Sequence, residues 1–211
     1  MIAQGSAEWL AQRAGKVTAS RVADVIAKTK TGWGASRANY AAQLVAERLT
    51  GNVEPTFTNA AMQWGTDKEP EAREAYEFHA GVFVDQVDMI DHPKIAMTGA
   101  SPDGLVGDAG LVEIKCPNTA THIETLLSGK VPAKYVTQMA WQMACTGRAW
   151  CDFVSFDPRM PEHMRLFVQR VDRDDTLIAT LEAEVSAFLT EVTETVAALT
   201  RAYPAEMQVA A

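Results

Sequence analysis

Apolar residues in the first third of the chain recur three and four apart, the spacing of helices with one buried face. Ser6 is placed to cap a short helix carrying Trp9, Leu10 and Arg13. Thr18 or Ser20 is placed to cap a second, through Val22, Val25 and Ile26. A Gly/Thr/Lys/Ser-rich loop occupies residues 28–38, and a third helix runs from about Arg37 to Leu49, stopped by Gly51. Residues 52–60 show no clear period. A fourth helix spans Asp67 to His79 and ends at Gly81. Pro70 lacks a backbone donor and disfavours helical geometry at Glu69, so this helix is expected to start near Asp67 or to kink there.

The middle of the chain changes period. VFVDQVDMI, KIAMTGA, GLVGD and LVEIKC are short β-rich runs separated by Gly, Pro and Asp, which predicts a strongly bent antiparallel meander. Helices follow over Thr119–Leu127 and from about Pro132 to Cys145, the second stopped by Gly147. WCDFVSF and MRLFVQRV read as two more strands. A long helix from Asp174 to Arg201 carries the stripe Leu177, Leu181, Val185, Phe188, Val192, Val196 and Leu199, which suits core packing better than a coiled coil. This order predicts an α/β (α+β mixed) fold in a single domain, 1–211. Its helical part covers 1–80, its sheet and flanking helices 81–203, and a frayed tail 204–211.

Composition narrows the classes. A hydrophobic share of 47% is enough for a real core. No run approaches the roughly 20 apolar residues of a membrane span. The opening MIAQGSAEWLAQR lacks a basic-then-apolar signal pattern, so a cytoplasmic protein is expected. The three cysteines, Cys116, Cys145 and Cys151, show no CxxC spacing and read as inert thiols; the four scattered histidines imply no zinc site. A net charge of −8 argues against gripping nucleic acid by bulk attraction. Between Arg13 and Lys30, however, five cations face one acid, Asp24, whereas the segment from Asp172 onward is acidic. That asymmetry allows either a basic surface or an ordinary solvated face.

The chemistry is concentrated in residues 96–117, AMTGASPDGLVGDAGLVEIKCP. Asp103 follows a strand, and Glu113 and Lys115 share one face of the next, with Ile114 turned into a core. Two carboxylates and a backbone carbonyl make a hard oxygen site suited to Mg²⁺ or Mn²⁺. Lys115 is placed to orient a water and lower its pKa. The same residues also fit a turn aspartate beside an exposed ion pair, worth about 0–1 kcal/mol. Glycines 99, 104, 107 and 110 favour a site, because they clear room for a bulky substrate. Glu69 adds an acid to the helical face of Met62, Gly65, Ala72 and Tyr76, where it needs a partner, a proton or a metal. One such partner is Lys115.

Asp103 with Glu113-x-Lys115 resembles the PD-(D/E)xK nuclease motif. The wider context is similar to the lambda exonuclease or YqaJ-like viral recombinase branch of that superfamily. The matching segments are WLAQRAGKVTAS, AMQWGTDKEPEAREAYEF, GASPDGLV, LVEIKCP, AKYVTQMAWQM and FDPRM, in order from about residue 9 to 160. The resemblance implies a restriction-endonuclease-like core, a central twisted mixed sheet flanked by helices. It implies an alkaline-type exonuclease that degrades one strand of linear double-stranded DNA 5′→3′, leaving 3′ tails for recombination by strand annealing. Mg²⁺ is the implied cofactor, two ions, with Mn²⁺ able to substitute. The implied partners are DNA, a homo-oligomeric ring, trimeric as first choice, and a single-strand annealing protein; the implied origin is phage or prophage.

Carried over by position, Asp103, Glu113 and the Ile114 carbonyl would hold metal, Lys115 would activate water, and Glu69 would be the helical acid. Gln138 matches the family's glutamine, and Trp141 occupies the slot near the aromatic partner found in related nucleases. Gln138 also fits a buried helix residue satisfying backbone groups. Arg13, Thr18, Ala19 and Ser20 resemble a 5′-phosphate pocket, built from a guanidinium, hydroxyls and helix N–H groups. An arginine that some relatives place after the Glu-x-Lys strand is absent; Thr119, Thr121 and His122 stand there. The competing readings are a restriction- or repair-type endonuclease and a catalytically inactive DNA-end-binding module.

Overall fold

The computed structural model describes residues 5–30, 32–53 and 60–204. Apart from Pro204, the frayed tail expected at 204–211 lies outside the described residues, as do Thr31 and most of the aperiodic stretch 52–60. The helices are α1 (Ala7–Arg13), α2 (Val22–Val25), α3 (Ala35–Thr50), α4 (Ala60–Ala80), α5 (Thr119–Ser128), α6 (Ala133–Thr146) and α7 (Asp175–Ala202). The strands are β1 (Val17–Thr18), β2 (Lys28–Thr29), β3 (Gly32–Trp33), β4 (Val84–Asp85), β5 (Ile90–Asp91), β6 (Thr98–Ala100), β7 (Gly104–Val106), β8 (Gly110–Lys115), β9 (Trp150–Phe156) and β10 (Leu166–Asp172).

The main sheet has the order β10-β9-β8-β7-β4. Its β8/β9 pair is parallel and its other pairs are antiparallel. Parallel neighbours need a long crossover, and α5 with α6 supplies it. Helices cover both faces. On one, Leu111 and Phe153 pack with Met139 and Trp141 of α6, Leu44 of α3 and Phe188 of α7. On the other, Val112, Ile114 and Val154 pack with Ala72 and Tyr76 of α4. The result is the expected mixed α/β fold.

Three local expectations are corrected. The runs read as one meander divide between two sheets: β5 and β6 join β1 in a separate sheet, with β1/β6 parallel. LVEIKC becomes an interior strand paired in parallel with β9 and buried on both faces, which local alternation does not distinguish from a meander strand. The helix expected from Asp67 begins at Ala60 and continues through Pro70. Pro70 and Thr66, whose carbonyl it leaves without an intrahelical donor, are both exposed, so water meets the lost bond. Thr18 precedes a three-residue 3₁₀ turn without capping it through its side chain, and its hydroxyl lies 3.4 Å from that of Ser20 instead. Ser6, by contrast, caps α1 by accepting from the Trp9 N–H.

On α7 the apolar stripe is broadened by Ile178 and Leu189 and fades toward Leu199, which is exposed. Asp174 caps this helix, accepting from the Thr176 and Leu177 N–H groups. No described helix is long and apolar enough to cross a membrane.

Candidate active site

The site begins where β7 runs out. Gly104 pairs with Val112, so beyond that point the β8 edge has no β7 partner. The Asp103 side chain takes that place, its Oδ2 accepting from the Ile114 N–H at 2.6 Å. Within a strand the N–H and C=O of one residue face the same edge, so the Ile114 carbonyl faces Asp103 too. Gly104 itself is required here, since a Cβ would lie 2.1 Å from Val84 Cγ1. The glycine expected to make room for substrate makes room for a neighbouring strand instead.

Glu113 is fully buried and projects toward α6. Its Oε1 accepts from Gln138 Nε2 at 2.7 Å and its Oε2 from Gln142 Nε2 at 2.6 Å. Lys115 pairs with Oε1, and its ammonium lies 5.5 Å from the centre of the Tyr135 ring. Gln138 therefore meets the carboxylate rather than backbone groups. Trp141 is absent from this cluster: it is buried, donates to Thr98 Oγ1 at 3.2 Å and stacks on His92. The polar residue at the next turn after Gln138 is Gln142, which sequence reasoning missed. The signal was available, because glutamines four apart share a helix face.

Glu69 reaches the same region from α4, where its partner is Arg73 rather than Lys115. A cleft of about 380 Å³ is lined by Glu69, Asp103, Lys115 and Gln138 together with Trp9, Arg13, Ser20 and Ser101. Arg13 stacks 4.1 Å from the centre of the Trp9 ring and donates to Ser101 Oγ at 2.9 Å. The turn that follows is held at Gly15, whose N–H donates to Glu47 Oε2 at 2.7 Å and whose carbonyl accepts from Arg48 Nε at 3.0 Å. Thr18 and Ala19 are buried and do not line this cleft. Of the four residues expected to form a phosphate pocket, Arg13 and Ser20 face it.

Burial, then the charge of Glu113, raises the Asp103 carboxyl well above the usual range; Lys115 and the Ile114 N–H oppose the shift. Burial also raises Glu69, against the attraction of Arg73 and Lys115. For Lys115 burial works against the ammonium, but Glu113 and Asp103 outweigh it and its pKa is raised. Burial pushes the Cys116 and Cys145 thiols up to about 12, in keeping with inert thiols.

Among the described residues no three His, Cys, Asp or Glu side chains form a ready-made metal cage. The donor set is two carboxylates and a carbonyl, which suits Mg²⁺, an ion that keeps several waters and takes one or two carboxylates. Asp103 Oδ1 accepts no hydrogen bond among the described residues, which leaves one of its oxygens for such an ion.

Residues 8–149 match the family described as the YqaJ-like viral recombinase domain. The chain belongs to this family. No curated protein matches it. Among solved structures, the alkaline exonuclease LHK-Exo of Laribacter hongkongensis is 58% identical, over 93% of this chain and 97% of that one, with a TM-score of 0.88. The same exonuclease in complex with dAMP matches with the same figures. A phage-related exonuclease of Haemophilus somnus 129PT, 16% identical over 87% of this chain and 96% of that one, shares the fold at a TM-score of 0.70. The expected family, the mixed α/β fold and the enzyme class, a nuclease, all stand.

Proposed function

We propose that this YqaJ-family nuclease is a Mg²⁺-dependent exonuclease acting 5′→3′ on one strand of linear double-stranded DNA. The observation that carries this reading is one shared cleft: Arg13 and Ser20 line it together with Asp103, Lys115, Glu69 and Gln138. A pocket for a terminal phosphate beside a hydrolytic cluster measures cleavage from the 5′ end.

In this reading Asp103, Glu113 and the Ile114 carbonyl hold Mg²⁺, with Mn²⁺ as a substitute. The bound ion supplies Lewis-acid stabilisation and a water of lowered pKa. Gln138 steadies Glu113 from the cleft side. Lys115, beside both carboxylates, orients the attacking water and offsets negative charge developing on the phosphate. Glu69, tied by Arg73, lines the same cleft. Arg13 offers two donors to phosphate oxygens and Ser20 a hydroxyl.

A closed homotrimer is the assembly we propose, because a ring retains DNA without relying on bulk charge in a chain of net charge −8. The 3′ tails would pass to a single-strand annealing protein for recombination. The test is digestion of a linear duplex and of the same DNA as a closed circle, with Mg²⁺ and in excess chelator, following 5′- and 3′-terminal labels. Mg²⁺-dependent loss of the 5′ label first, from linear DNA alone, is expected. Cleavage of closed circles, 3′ loss first, or full activity in chelator would contradict it.

A further inference from the structure

Gln142 lies one helical turn beyond Gln138 on α6 and has no exposed surface. Its Nε2 donates to Glu113 Oε2 at 2.6 Å, while Gln138 Nε2 donates to Oε1 at 2.7 Å. One helix thus offers two amides to one buried carboxylate. The two glutamines differ in their surroundings, since Gln138 lines the cleft and Gln142 does not. Gln142 touches neither substrate space nor solvent.

The amide orientation follows from chemistry. An ionised carboxylate only accepts, so the amide nitrogen faces Glu113 and the carbonyl faces away. That carbonyl meets the Cys151 thiol on β9, 3.9 Å from sulfur to oxygen. Gln142 is therefore held from behind by the strand that pairs with β8 at Leu111. The last torsion of a glutamate is broad and selects no single orientation by itself. Fixing one carboxylate oxygen removes that freedom.

We propose that Gln142 is a positioning residue. By holding Oε2, it locks the terminal rotation of Glu113 and presents Oε1 toward Lys115, Gln138 and a divalent cation. The proposal rests on the metal-dependent reading above. Partners behind metal-ligating groups orient the ligand, and losing one costs about 10–100-fold in metal affinity or activity. A glutamine that only filled the core would affect stability alone.

The test uses the full chain with Gln142→Met, which keeps the side-chain length and removes the amide. Mn²⁺ binding is measured without DNA, from the electron paramagnetic resonance signal of the free ion, alongside thermal melting and turnover against Mn²⁺ concentration. The Mn²⁺ dissociation constant is expected to rise about 10–100-fold, with turnover recovering toward wild type at saturating Mn²⁺. If Gln142→Met does not fold, Gln142→Asn, which withdraws the amide by one methylene, is read the same way. Unchanged Mn²⁺ affinity, with a lower melting temperature and turnover falling only with the folded fraction, would overturn the proposal. Wild-type protein that binds no Mn²⁺ would overturn the metal reading itself, and this proposal with it.

Discussion

The two ends of the cleft are built in different ways. At one end, Asp103, Lys115 and Gln138 line the cleft, and behind them Glu113 is fully buried with both its oxygens held by side chains from α6 and by Lys115. At the other, Arg13 closes the short helix α1, none of whose residues is buried, and is held by one ring and one hydroxyl. A buried strand whose charged side chains are held by a covering helix keeps them rigid, which suits charges that must stand ready before substrate arrives. A short surface helix tolerates movement, which suits a group that catches and releases a chain end. Damage at the first end should therefore appear in turnover, and damage at the second in the choice of end.

The largest effect is expected at Lys115. Lys115→Ala should lower single-turnover cleavage by about 10²–10³-fold, as for loss of one preorganised charge donor. Binding to DNA ends, measured by anisotropy with Ca²⁺, should stay near wild type. A variant that loses affinity but keeps turnover would make this lysine a backbone contact and blur the contrast.

Arg13→Ala should slow 5′-phosphorylated duplexes by roughly ten- to a hundredfold, the worth of a charge-assisted hydrogen bond of ~1.5–3 kcal/mol. Its rate on 5′-hydroxyl duplexes should change little. Equal slowing on both, in the same single-turnover assay, would assign Arg13 to general backbone contact or to folding.

Gly15 links the α1 end of the cleft to the core. It has φ +66°, and a Cβ there would meet Arg48 Cγ at 2.8 Å. Gly15→Ala should cost about 1–2 kcal/mol from backbone strain, seen as a lower denaturation midpoint. It should reduce the 5′-phosphate preference more than the hydroxyl rate. Loss of both rates together would place this turn in the catalytic unit.

The smallest effect is on stability, at one carboxylate of the cleft. The Asp103 carboxyl is raised, by burial first and then by Glu113. A folded value above the unfolded one of about 4 means that the protonated form favours the fold. That contribution is full below the unfolded value and is lost as pH rises through the folded one. Asp103→Asn, with chelator at pH 8, should therefore be more stable than the wild type by ~1 kcal/mol, about 2–4 °C in melting temperature. An unchanged or lower melting temperature would show that the ionised carboxylate is not strained without metal.

Much of this arrangement was legible in the chain because it is local. Ser6 before α1, the glycines after α3 and α6, and the apolar spacing of α7 each act within a few residues. Asp103, Glu113 and Lys115 stood out because they are close in sequence, and Glu113 and Lys115 alternate along one strand. What escaped depends on distant pairing. Parallel contact of β8 with β9 is made across an inserted pair of helices, and Pro70 is tolerated because that side of α4 meets water. Trp141 was read toward the site from its place beside Gln138. The helix turn instead puts Trp141 against Thr98 and His92, and puts Gln142 on Glu113. A charge buried in Glu113 needs donors from some neighbouring element, but which element covers it is a tertiary fact.

The central claim is that one cleft joins recognition of a 5′ end to hydrolysis. Its most direct test is the single-turnover rate of the wild-type protein with Mg²⁺, on linear duplexes identical except for a 5′-phosphate or a 5′-hydroxyl. The account predicts faster removal of the first nucleotide from the phosphorylated end, by roughly ten- to a hundredfold. Equal rates on both duplexes would contradict it, leaving Arg13 and Ser20 beside the catalytic cluster without a role in choosing the end.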